Sequence, residues 1–306
     1  VNIRGYKPNK GVHVGQLKKA INLLEEAKKP MFLIGGGVNL AHAQEEMTKL
    51  AEKIDAPVIT TVMGRGAIST EHPLYIGNLG MHGAYACNMA VNECDLLFSI
   101  GTRFNDRITG KLHSFAPNAQ IVHIDIDTAA ISKNVQVDVP IVADAKEAVS
   151  KMLEYVSECE TKKWLATIKE WKEEHPLMMK KKPIMTPQDV IETINRIFDE
   201  AIIVTDVGQH QMWVAQHYPF ETPRTFISSG GLGTMGFGLG AAIGAATATG
   251  KKTILVTGDG SFGMNLNELA TAVTNQTPVV VFIMNNGVLG MVRQWQTLFF
   301  DKHYSN

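Results

Sequence analysis

The residues best suited to chemistry follow two apolar segments in the second half of the chain. The segment 253–257 runs into Gly-Asp-Gly, whose acid is Asp259, and the segment 279–284 runs into Asn-Asn, which ends at Asn286. Mg²⁺ prefers hard oxygen ligands, usually one or two carboxylates together with phosphate oxygens and water. The two side chains supply such oxygens. The glycines beside Asp259 allow a diphosphate to come close, and the following helix start offers N–H groups.

Two ordinary strand-to-helix turns are the alternative interpretation, since Gly, Asp and Asn are common in turns. The spacing favours the functional interpretation. Residues 261–284, which number 24, separate the Gly-Asp-Gly from the Asn-Asn. This matches the fingerprint of thiamine-diphosphate enzymes, which has Gly-Asp-Gly, some two dozen residues and then Asn-Asn. The sequence therefore predicts a site for Mg²⁺ and a diphosphate.

Composition limits the class of protein. The 306 residues suffice for roughly two domains of ~150 residues each. With 29 basic and 30 acidic side chains, the chain gives no electrostatic reason to expect nucleic acid or an anionic membrane as a partner. No apolar run approaches the ~18 residues of a membrane span. The cysteines form no C-x-x-C pair and indicate reduced thiols; they are Cys87, Cys94 and Cys159.

The elements that position the polar residues alternate between short apolar strands and amphipathic helices. In the first half, we expect helices at 15–28, 41–54 and 144–157 and strands at 31–34, 57–62, 96–100 and 121–124. In the second half, we expect helices at 187–198, 234–248, 265–275 and 288–299 and strands at 201–205, 225–228, 253–257 and 279–284. Such alternation is typical of parallel sheets covered on both faces.

The predicted fold class is therefore α/β, with two doubly wound parallel-sheet domains. The first domain is expected at 1–160 and the second at 186–306, joined by a linker at 161–185 that starts as a helix and contains the basic run 180–182. In sheets of this kind, ligands bind beyond the carboxyl ends of the strands. The glycines and isolated polar residues of the sequence fall at these positions.

The chain resembles acetolactate synthases, also called acetohydroxyacid synthases. The resemblance rests on the segment 258–295, which ends in G-M-V-R-Q-W, and on V-G-Q-H-Q-M-W at 207–213, S-G-G-L-G-T-M-G-F-G at 229–238, L-G-M-H-G at 79–83 and G-T-R-F-N-D-R at 101–107. It covers nearly the whole chain. It implies a middle domain that binds FAD and a C-terminally truncated thiamine-diphosphate domain, without the family's amino-terminal pyrimidine-binding domain.

The resemblance implies roles for residues of the second domain. Mg²⁺ is expected to bind two side chains and one backbone carbonyl, those of Asp259, Asn286 and Val288. The diphosphate is expected to contact Gly208, Gln209, His210, Gly258, Gly260 and Ser261. Met235 is expected to lie under the cofactor and bend it into a V, and the Gly233 carbonyl to accept a hydrogen bond from the cofactor's amino group. Core packing is the alternative for Met235.

The resemblance also implies a substrate pocket. Met291 and Trp295 lie one turn apart on a predicted helix and share a face. This face is expected to line the pocket, with Trp295 favouring 2-ketobutyrate as second substrate; packing in a core is the alternative. Arg107 is expected to bind the carboxylate of the incoming keto acid, because a guanidinium pairs with a carboxylate through two parallel hydrogen bonds. A surface salt bridge is the alternative for Arg107.

The resemblance implies that the first domain binds FAD, and the contacts follow from the positions of the residues in the sequence. The expected contacts are Gly35, Gly36, Gly37, Thr61, Val62, Met63, Met81, His82, Gly101, Arg103, Asp106, Arg107, Asp125, Ile126, Asp144 and Ala145. The glycine run departs from G-x-G-x-x-G because its sixth position is Leu40, so it does not indicate a hydride-transfer site. In this family FAD does no net redox chemistry. Several histidines are read as structural or surface residues, namely His13, His42, His72, His113, His123, His175, His217 and His303.

The implied reaction decarboxylates pyruvate and condenses the two-carbon unit with pyruvate or 2-ketobutyrate, the first common step of branched-chain amino-acid biosynthesis. The implied assembly is a homodimer or tetramer, with a small regulatory subunit as a further partner and a cytoplasmic location for a bacterial source. The activating glutamate of the family belongs to the missing domain, so the chain is expected to be inactive alone. The alternatives are another thiamine-diphosphate carboligase or decarboxylase, and a non-catalytic nucleotide-binding module.

Overall fold

The computed structural model of the chain describes Pro8 and residues 11–181 and 183–305. The chain forms two compact units, Val1–Leu177 and Met178–Asn306. Parts of the expected domains and linker fall on residues 1–7, 9, 10, 182 and 306, and those parts lie outside the described residues. The three expected ranges 1–160, 161–185 and 186–306 remain predictions.

The first unit contains six strands and seven α-helices within its described residues. The strands are β1 Pro30–Ile34, β2 Val58–Thr60, β3 Tyr75–Asn78, β4 Leu96–Ile100, β5 Gln120–Asp125 and β6 Val139–Val142. The helices are α1 Val14–Glu26, α2 Gly36–Leu40, α3 Gln44–Ile54, α4 Tyr85–Glu93, α5 Asp106–Thr109, α6 Ala145–Tyr155 and α7 Lys162–Glu174.

The six strands form one parallel sheet in the order β3-β2-β1-β4-β5-β6. Successive side chains of β1 enter opposite cores, since Phe32 and Ile34 pack in one buried cluster and Met31 and Leu33 in the other. Helices α1, α3 and α6 cover the first face, and α4 and α7 cover the second. The strand order reverses between β1 and β4, which makes their carboxyl ends the place where such a sheet binds ligands.

Strands β3 and β6 and helix α4 are not predicted by the sequence analysis. Both strands lie at the edges of the sheet and are four residues long. β3 contains Gly77 and β6 contains Pro140. Both residue types are typical of loops, so the sequence pattern of these segments does not indicate strands. An edge strand tolerates proline because one of its sides needs no ladder hydrogen bond.

Helix α7 occupies part of the range 161–185 that the sequence assigns to a linker. Its Trp164 and Ile168 are buried with the residues of the second core cluster of the first unit. The indole nitrogen of Trp164 donates a hydrogen bond to the Pro30 carbonyl at 3.1 Å. The helix that the sequence analysis expects at the start of this range is therefore present and packed against the first unit.

The second unit contains four strands and six α-helices within its described residues. The strands are β7 Ile202–Thr205, β8 Phe226–Ser228, β9 Thr253–Thr257 and β10 Val279–Ile283. The helices are α8 Pro187–Ile197, α9 Gln209–His217, α10 Phe237–Thr249, α11 Asp259–Met264, α12 Leu269–Thr274 and α13 Gly290–Phe299. The strands form a parallel sheet in the order β10-β9-β7-β8.

The sheet of the second unit is also covered on both faces. Helices α8 and α9 pack against Ile203, Ile254 and Val256, while α10 packs against Val204 and Leu255. The α/β class with two parallel sheets is thus confirmed. Among the described residues, no helix has the length and apolar character needed to cross a membrane.

Two expected helices of the second unit differ from the prediction, and one further helix is not predicted. The helix expected at 234–248 starts at Phe237, because Gly236 has a left-handed φ of +83°. The helix expected at 265–275 is a 3₁₀ turn at Leu266–Glu268 followed by the short α12. Helix α9 is not predicted, since two of its buried residues, His210 and Gln211, are polar and hide its apolar periodicity.

Helix α10 allows a matched test of close packing. A Cβ at Gly238 would lie 2.7 Å from Leu255 Cδ1 and 3.0 Å from Asp206 Oδ2. Asp206 cannot move away without breaking its hydrogen bonds to backbone amides. We expect Gly238→Ala to lower the free energy of unfolding of the second unit by about 1–3 kcal/mol, measured by urea denaturation.

The matched control is Gly244→Ala in the same helix. A Cβ at Gly244 meets nothing within 4 Å, so this variant should gain about 0.5–1 kcal/mol from the lower backbone entropy of alanine. Equal stability of the two variants would contradict the packing argument.

Candidate cofactor sites

The predicted metal and diphosphate residues of the second unit lie in the turns that follow its strands, at one edge of the sheet. Strands β9 and β10 are parallel neighbours, with Thr257 paired to Ile283, and β7 lies on the other side of β9. The turns that carry Asp259 and Asn286 therefore start side by side. A shared metal site needs this placement of the two turns, and the binding of a metal by the two side chains stays a prediction.

A chain of amide side chains joins the turn after β10 to helices α9 and α13. Asn286 Nδ2 donates to Gln209 Oε1 at 3.3 Å, and Gln209 Nε2 donates to Gln294 Oε1 at 3.3 Å. A Cβ at Gly290 would lie 2.1 Å from Gln209 Oε1. The starts of α9 and α13 and the turn after β10 thus meet at the same place. The Asn286 oxygen accepts the backbone N–H of Val288 at 3.2 Å.

His210 lies against the Gly-Asp-Gly turn. A Cβ at Gly258 would lie 3.0 Å from His210 Nδ1, and the side chain is only 5% exposed. Burial lowers the pKa of His210 to about 4, although the negative charges of Asp206 and Asp259 act in the opposite direction. The ring is therefore neutral at pH 7. Its Nε2 is buried and has no hydrogen-bond partner among the described residues.

Two glycines and the serine of the predicted thiamine-diphosphate site also have structural roles that need no ligand. Gly208 has φ of +154°, and a Cβ there would lie 2.8 Å from His210 Cε1. The hydroxyl of Ser261 donates to the Val207 carbonyl at 2.9 Å. Gly233 has φ of +69° and lies in an exposed turn. A β-carbon is thus disfavoured at both glycines for reasons that need no ligand.

Asp206, which the sequence analysis does not name, fixes the segment that carries Met235. This carboxylate is 1% exposed and accepts the N–H groups of Gly236 at 2.9 Å and Gly238 at 3.2 Å. Asn265 Nδ2 donates to the Gly236 carbonyl at 2.7 Å. Asp206 follows an apolar strand directly, as the Gly-Asp-Gly follows β9, and this position is the signal that could have found it.

Met235 lies beside the Gly-Asp-Gly turn, since a Cβ at Gly260 would lie 3.6 Å from Met235 Cε. The structure thus brings Met235, Gln209, His210 and the two strand-end turns together. No group of three or more His, Cys, Asp or Glu side chains suited to a metal ion occurs in the part of the chain that the structure describes. The predicted ligand set of one carboxylate, one amide and one backbone carbonyl is of a different kind.

The predicted substrate residues are divided between the units. Met291 and Trp295 are partly buried on α13, where the Trp295 ring lies 5.0 Å from the Phe299 ring, measured between centroids. Arg107 lies in the first unit, exposed at the start of α5 and 3.4 Å from the Asp106 carboxylate. A common substrate pocket of these residues stays a prediction.

In the first unit, the glycine run after β1 packs against the end of β4. A Cβ at Gly35 would lie 2.1 Å from the Gly101 carbonyl oxygen, and one at Gly37 would lie 2.5 Å from Gly101 Cα. The N–H groups of Gly35 and Gly37 donate to the carbonyls of Ile100 and Gly101 at 2.9 and 3.1 Å. A Cβ at Gly36 would meet Met63 at 3.2 Å. These glycines are therefore needed for backbone packing at the switch point of the sheet.

Two further loops join this edge of the sheet. The Met81 N–H donates to the Arg107 carbonyl at 3.0 Å, and a Cβ at Gly80 would lie 2.3 Å from that carbonyl oxygen. Burial, followed by the charge of Arg107, lowers the pKa of His82. The structure thus brings Met81, His82 and the loop 101–107 together, with the side chain of Arg103 exposed.

The remaining predicted flavin contacts follow β2, β5 and β6 and lie at the carboxyl edge of the same sheet. Three of them already accept local backbone hydrogen bonds. Thr61 Oγ1 accepts Gly64 N at 3.1 Å, Asp125 Oδ1 accepts Asp127 N at 2.8 Å, and Asp144 Oδ1 caps α6 through Lys146 N at 2.9 Å. The others are their neighbours Val62, Met63, Ile126 and Ala145.

Two family models match the chain. The one described as "Thiamine pyrophosphate enzyme, central domain" matches residues 17–152, and the one described as "Thiamine pyrophosphate enzyme, C-terminal TPP binding domain" matches residues 206–306. The first range contains all six strands of the first sheet, and the second contains β8, β9 and β10 and begins directly after β7.

The chain is also similar to named relatives. It is 47% identical to the probable acetolactate synthase large subunit of Methanococcus aeolicus, over 99% of this chain and 54% of that protein. It is 47% identical to the probable acetolactate synthase large subunit of Methanocaldococcus jannaschii, over 100% and 54%. It is 42% identical to the acetolactate synthase isozyme 3 large subunit of Escherichia coli, over 100% and 55%.

The chain spans about half the length of these curated relatives. The similarity extends over both units. The chain belongs to the thiamine pyrophosphate enzymes, of which it carries the central domain and the C-terminal thiamine pyrophosphate-binding domain.

Proposed function

We propose that this chain forms the flavin-binding and diphosphate-binding parts of an acetolactate synthase. The observation that carries the proposal is the convergence of His210, Asp259 and Asn286 at one edge of the second sheet, where the buried His210 ring lies against the Gly-Asp-Gly turn. The similarity to acetolactate synthase large subunits supports this assignment.

The residues at this edge fit Mg²⁺ and a diphosphate. The Asp259 carboxylate, the Asn286 amide oxygen and the Val288 carbonyl are hard oxygen donors of the kind that Mg²⁺ binds, with phosphate oxygens and water completing the shell. His210 is neutral and donates to the Asp206 backbone carbonyl, so its unpartnered Nε2 is an acceptor and would pair with a donor group of the ligand or of its water shell. The side-chain amide of Gln209 is the neighbouring donor.

Thiamine diphosphate, when bound, supplies the carbon nucleophile for a keto carbonyl and accepts the electron pair that is left when CO₂ departs. The residues of this chain bind and orient. Met235, fixed through the amides held by Asp206, would press against the cofactor and set its bent shape, and the Gly233 carbonyl would accept a hydrogen bond from the cofactor's amino group. Met291 and Trp295 would line the substrate pocket.

The first unit fits an anionic dinucleotide such as FAD. Its six-stranded order reverses at β1 and β4, and the loops at that point carry the exposed cations Arg103 and Arg107. The glycine contacts between these loops hold their backbones close together. The proposed substrates are pyruvate and 2-ketobutyrate, with Arg107 on the carboxylate of the second keto acid, and the proposed assembly is a homodimer or tetramer with a small regulatory subunit.

A product assay separates this proposal from its nearest rivals. With pyruvate, thiamine diphosphate, Mg²⁺ and FAD, the enzyme that contains this chain should form acetolactate. Acetaldehyde as the main product would instead indicate a decarboxylase, and the synthase assignment would then be wrong.

Asp259→Asn tests the metal site, because it keeps the shape of the side chain and removes one negative charge. We expect the Kd for thiamine diphosphate at fixed Mg²⁺ to rise by at least about tenfold, by analogy with the loss on disturbing a metal site. Titration calorimetry on the purified chain measures this.

The control for Asp259→Asn is Asp199→Asn, an exposed residue of the same unit with the same change of charge. Its Kd should equal that of the unaltered chain. Binding that does not depend on Mg²⁺, or that Asp259→Asn leaves unchanged, would contradict the assignment of Asp259.

Arg103→Gln tests the flavin site. An exposed guanidinium that binds a phosphate contributes a charge-assisted hydrogen bond, so its loss should weaken FAD binding by about tenfold or more. Quenching of flavin fluorescence measures the affinity. Lys111→Gln, an exposed cation beyond α5, is the control and should bind FAD normally; an equal loss in both variants would indicate only non-specific attraction.

A further inference from the structure

The loop 101–107, which follows β4, alternates buried and exposed side chains. Thr102 is 3% exposed and Phe104 is 2% exposed, whereas Arg103, Asp106 and Arg107 are exposed. The buried residues thus act as anchors, and the charged residues that the proposed flavin site uses point away from the core. The direction of the charged side chains depends on how firmly the anchors are held.

The backbone of this loop is strained. Gly101 has φ of +63° and Phe104 has φ of +47°. The left-handed region is costly for a bulky residue with a β-carbon, so Phe104 stays there only because its surroundings hold it. The contacts of the two anchors identify what provides this restraint.

His123 contacts both anchors. It lies on β5 opposite Ser99 of β4 and is 0% exposed. Its Nε2 lies 2.8 Å from the Thr102 carbonyl oxygen. A carbonyl can only accept, so Nε2 carries the proton and donates it. The Phe104 ring meets the imidazole edge to face, with centroids 4.9 Å apart and planes at 75°.

Two neighbouring contacts complete the restraint. The hydroxyls of Ser99 and Thr102 are 2.5 Å apart. Asn134 Nδ2 donates to the Phe104 carbonyl at 3.0 Å and to the Arg103 carbonyl at 3.3 Å. The backbone on both sides of Arg103 is therefore held, on one side by a buried ring and on the other by an amide from the loop after β5.

The Nδ1 atom of His123 indicates that core packing alone does not account for a histidine at this position. His123 Nδ1 is buried and has no hydrogen-bond partner among the described residues. The Asp125 carboxylate lies 3.7 Å from Nε2, beyond hydrogen-bonding distance. A buried polar atom without a partner costs free energy, and an apolar side chain at this place in the sheet would avoid that cost. Only a polar side chain can form the hydrogen bond that Nε2 donates to the Thr102 carbonyl.

We infer that His123 is a positioning residue for the flavin site: its Nε2–H fixes the Thr102 carbonyl and so directs Arg103 and the start of α5 toward the ligand. This inference rests on the proposed FAD function of the first unit. It changes the sequence-based interpretation of His123, which assigns it only a structural or surface role.

The test compares His123→Leu with His123→Gln in the purified chain. Leucine removes the donor, whereas the amide nitrogen of glutamine reaches about as far as Nε2 and can donate to the same carbonyl. We expect His123→Leu to raise the Kd for FAD by about tenfold, as for one lost hydrogen bond, and His123→Gln to stay within about threefold of the unaltered chain. An effect of core packing alone would weaken both variants equally, and this result would overturn the inference.

Hydrogen exchange without FAD supplies a readout that does not depend on the flavin. The amides of 103–107 should exchange faster in His123→Leu than in His123→Gln, while those of β2 stay unchanged as an internal reference. Asn134→Ala, an exposed residue, keeps the test usable if His123→Leu does not fold, and it should weaken FAD binding by about threefold. Unchanged exchange and affinity in Asn134→Ala would contradict the role assigned to the loop.

The outcomes separate this inference from the function on which it rests. If the unaltered chain binds no FAD, the proposed function of the first unit fails, and faster exchange at 103–107 then shows only that His123 holds the loop. If the unaltered chain binds FAD and His123→Leu binds it equally well, the function stands and the positioning role of His123 is wrong.

Discussion

Parallel pairing of strands is the constraint on which both candidate sites depend. Because all strands of a sheet run in one direction, every strand delivers its following turn to the same edge. In the second unit, the pairing of Thr257 with Ile283 places the Gly-Asp-Gly and Asn-Asn turns next to each other. In the first unit, the pairing of Ile34 with Ile100 does the same for the glycine run and the loop 101–107. Residues far apart in sequence become neighbours through this register alone.

Small residues then decide how closely these turns approach. Gly35 and Gly37 contact the backbone of Gly101, and Gly238 contacts the carboxylate of Asp206, at distances where a β-carbon would clash. The sequence analysis attributes the first two glycines to the approach of a dinucleotide. The structure gives a reason that precedes any ligand, since the turns could not meet at the switch point with side chains between them. A cofactor role for their backbones remains a prediction in addition to this packing role.

The sequence predicts the class of fold and the strand ends well, because apolar strands and the glycines after them are local signals. It fails where the signal is weak or non-local. The edge strands β3 and β6 contain Gly77 and Pro140 and read as loops, and α9 buries His210 among polar neighbours. The role of Asp206 could not be predicted, since its partners Gly236 and Gly238 are some thirty residues away. A local pattern shows that a polar residue follows a strand. It does not show which backbone amides will donate hydrogen bonds to that residue.

Two buried histidines, one in each unit, lie close to the candidate sites. His123 is buried within β5 and His210 at the start of α9, and each has one ring nitrogen without a partner among the described residues. Such atoms lower stability, so they persist where another contact compensates. For His123 that contact is the Thr102 carbonyl, within the protein. His210 likewise bonds to a backbone carbonyl, that of Asp206, and its Nε2 is the nitrogen left without a partner among the described residues. In both units, therefore, a buried imidazole holds a backbone carbonyl with one nitrogen and leaves the other without a partner, and the diphosphate role of His210 is a proposal added to this structural one.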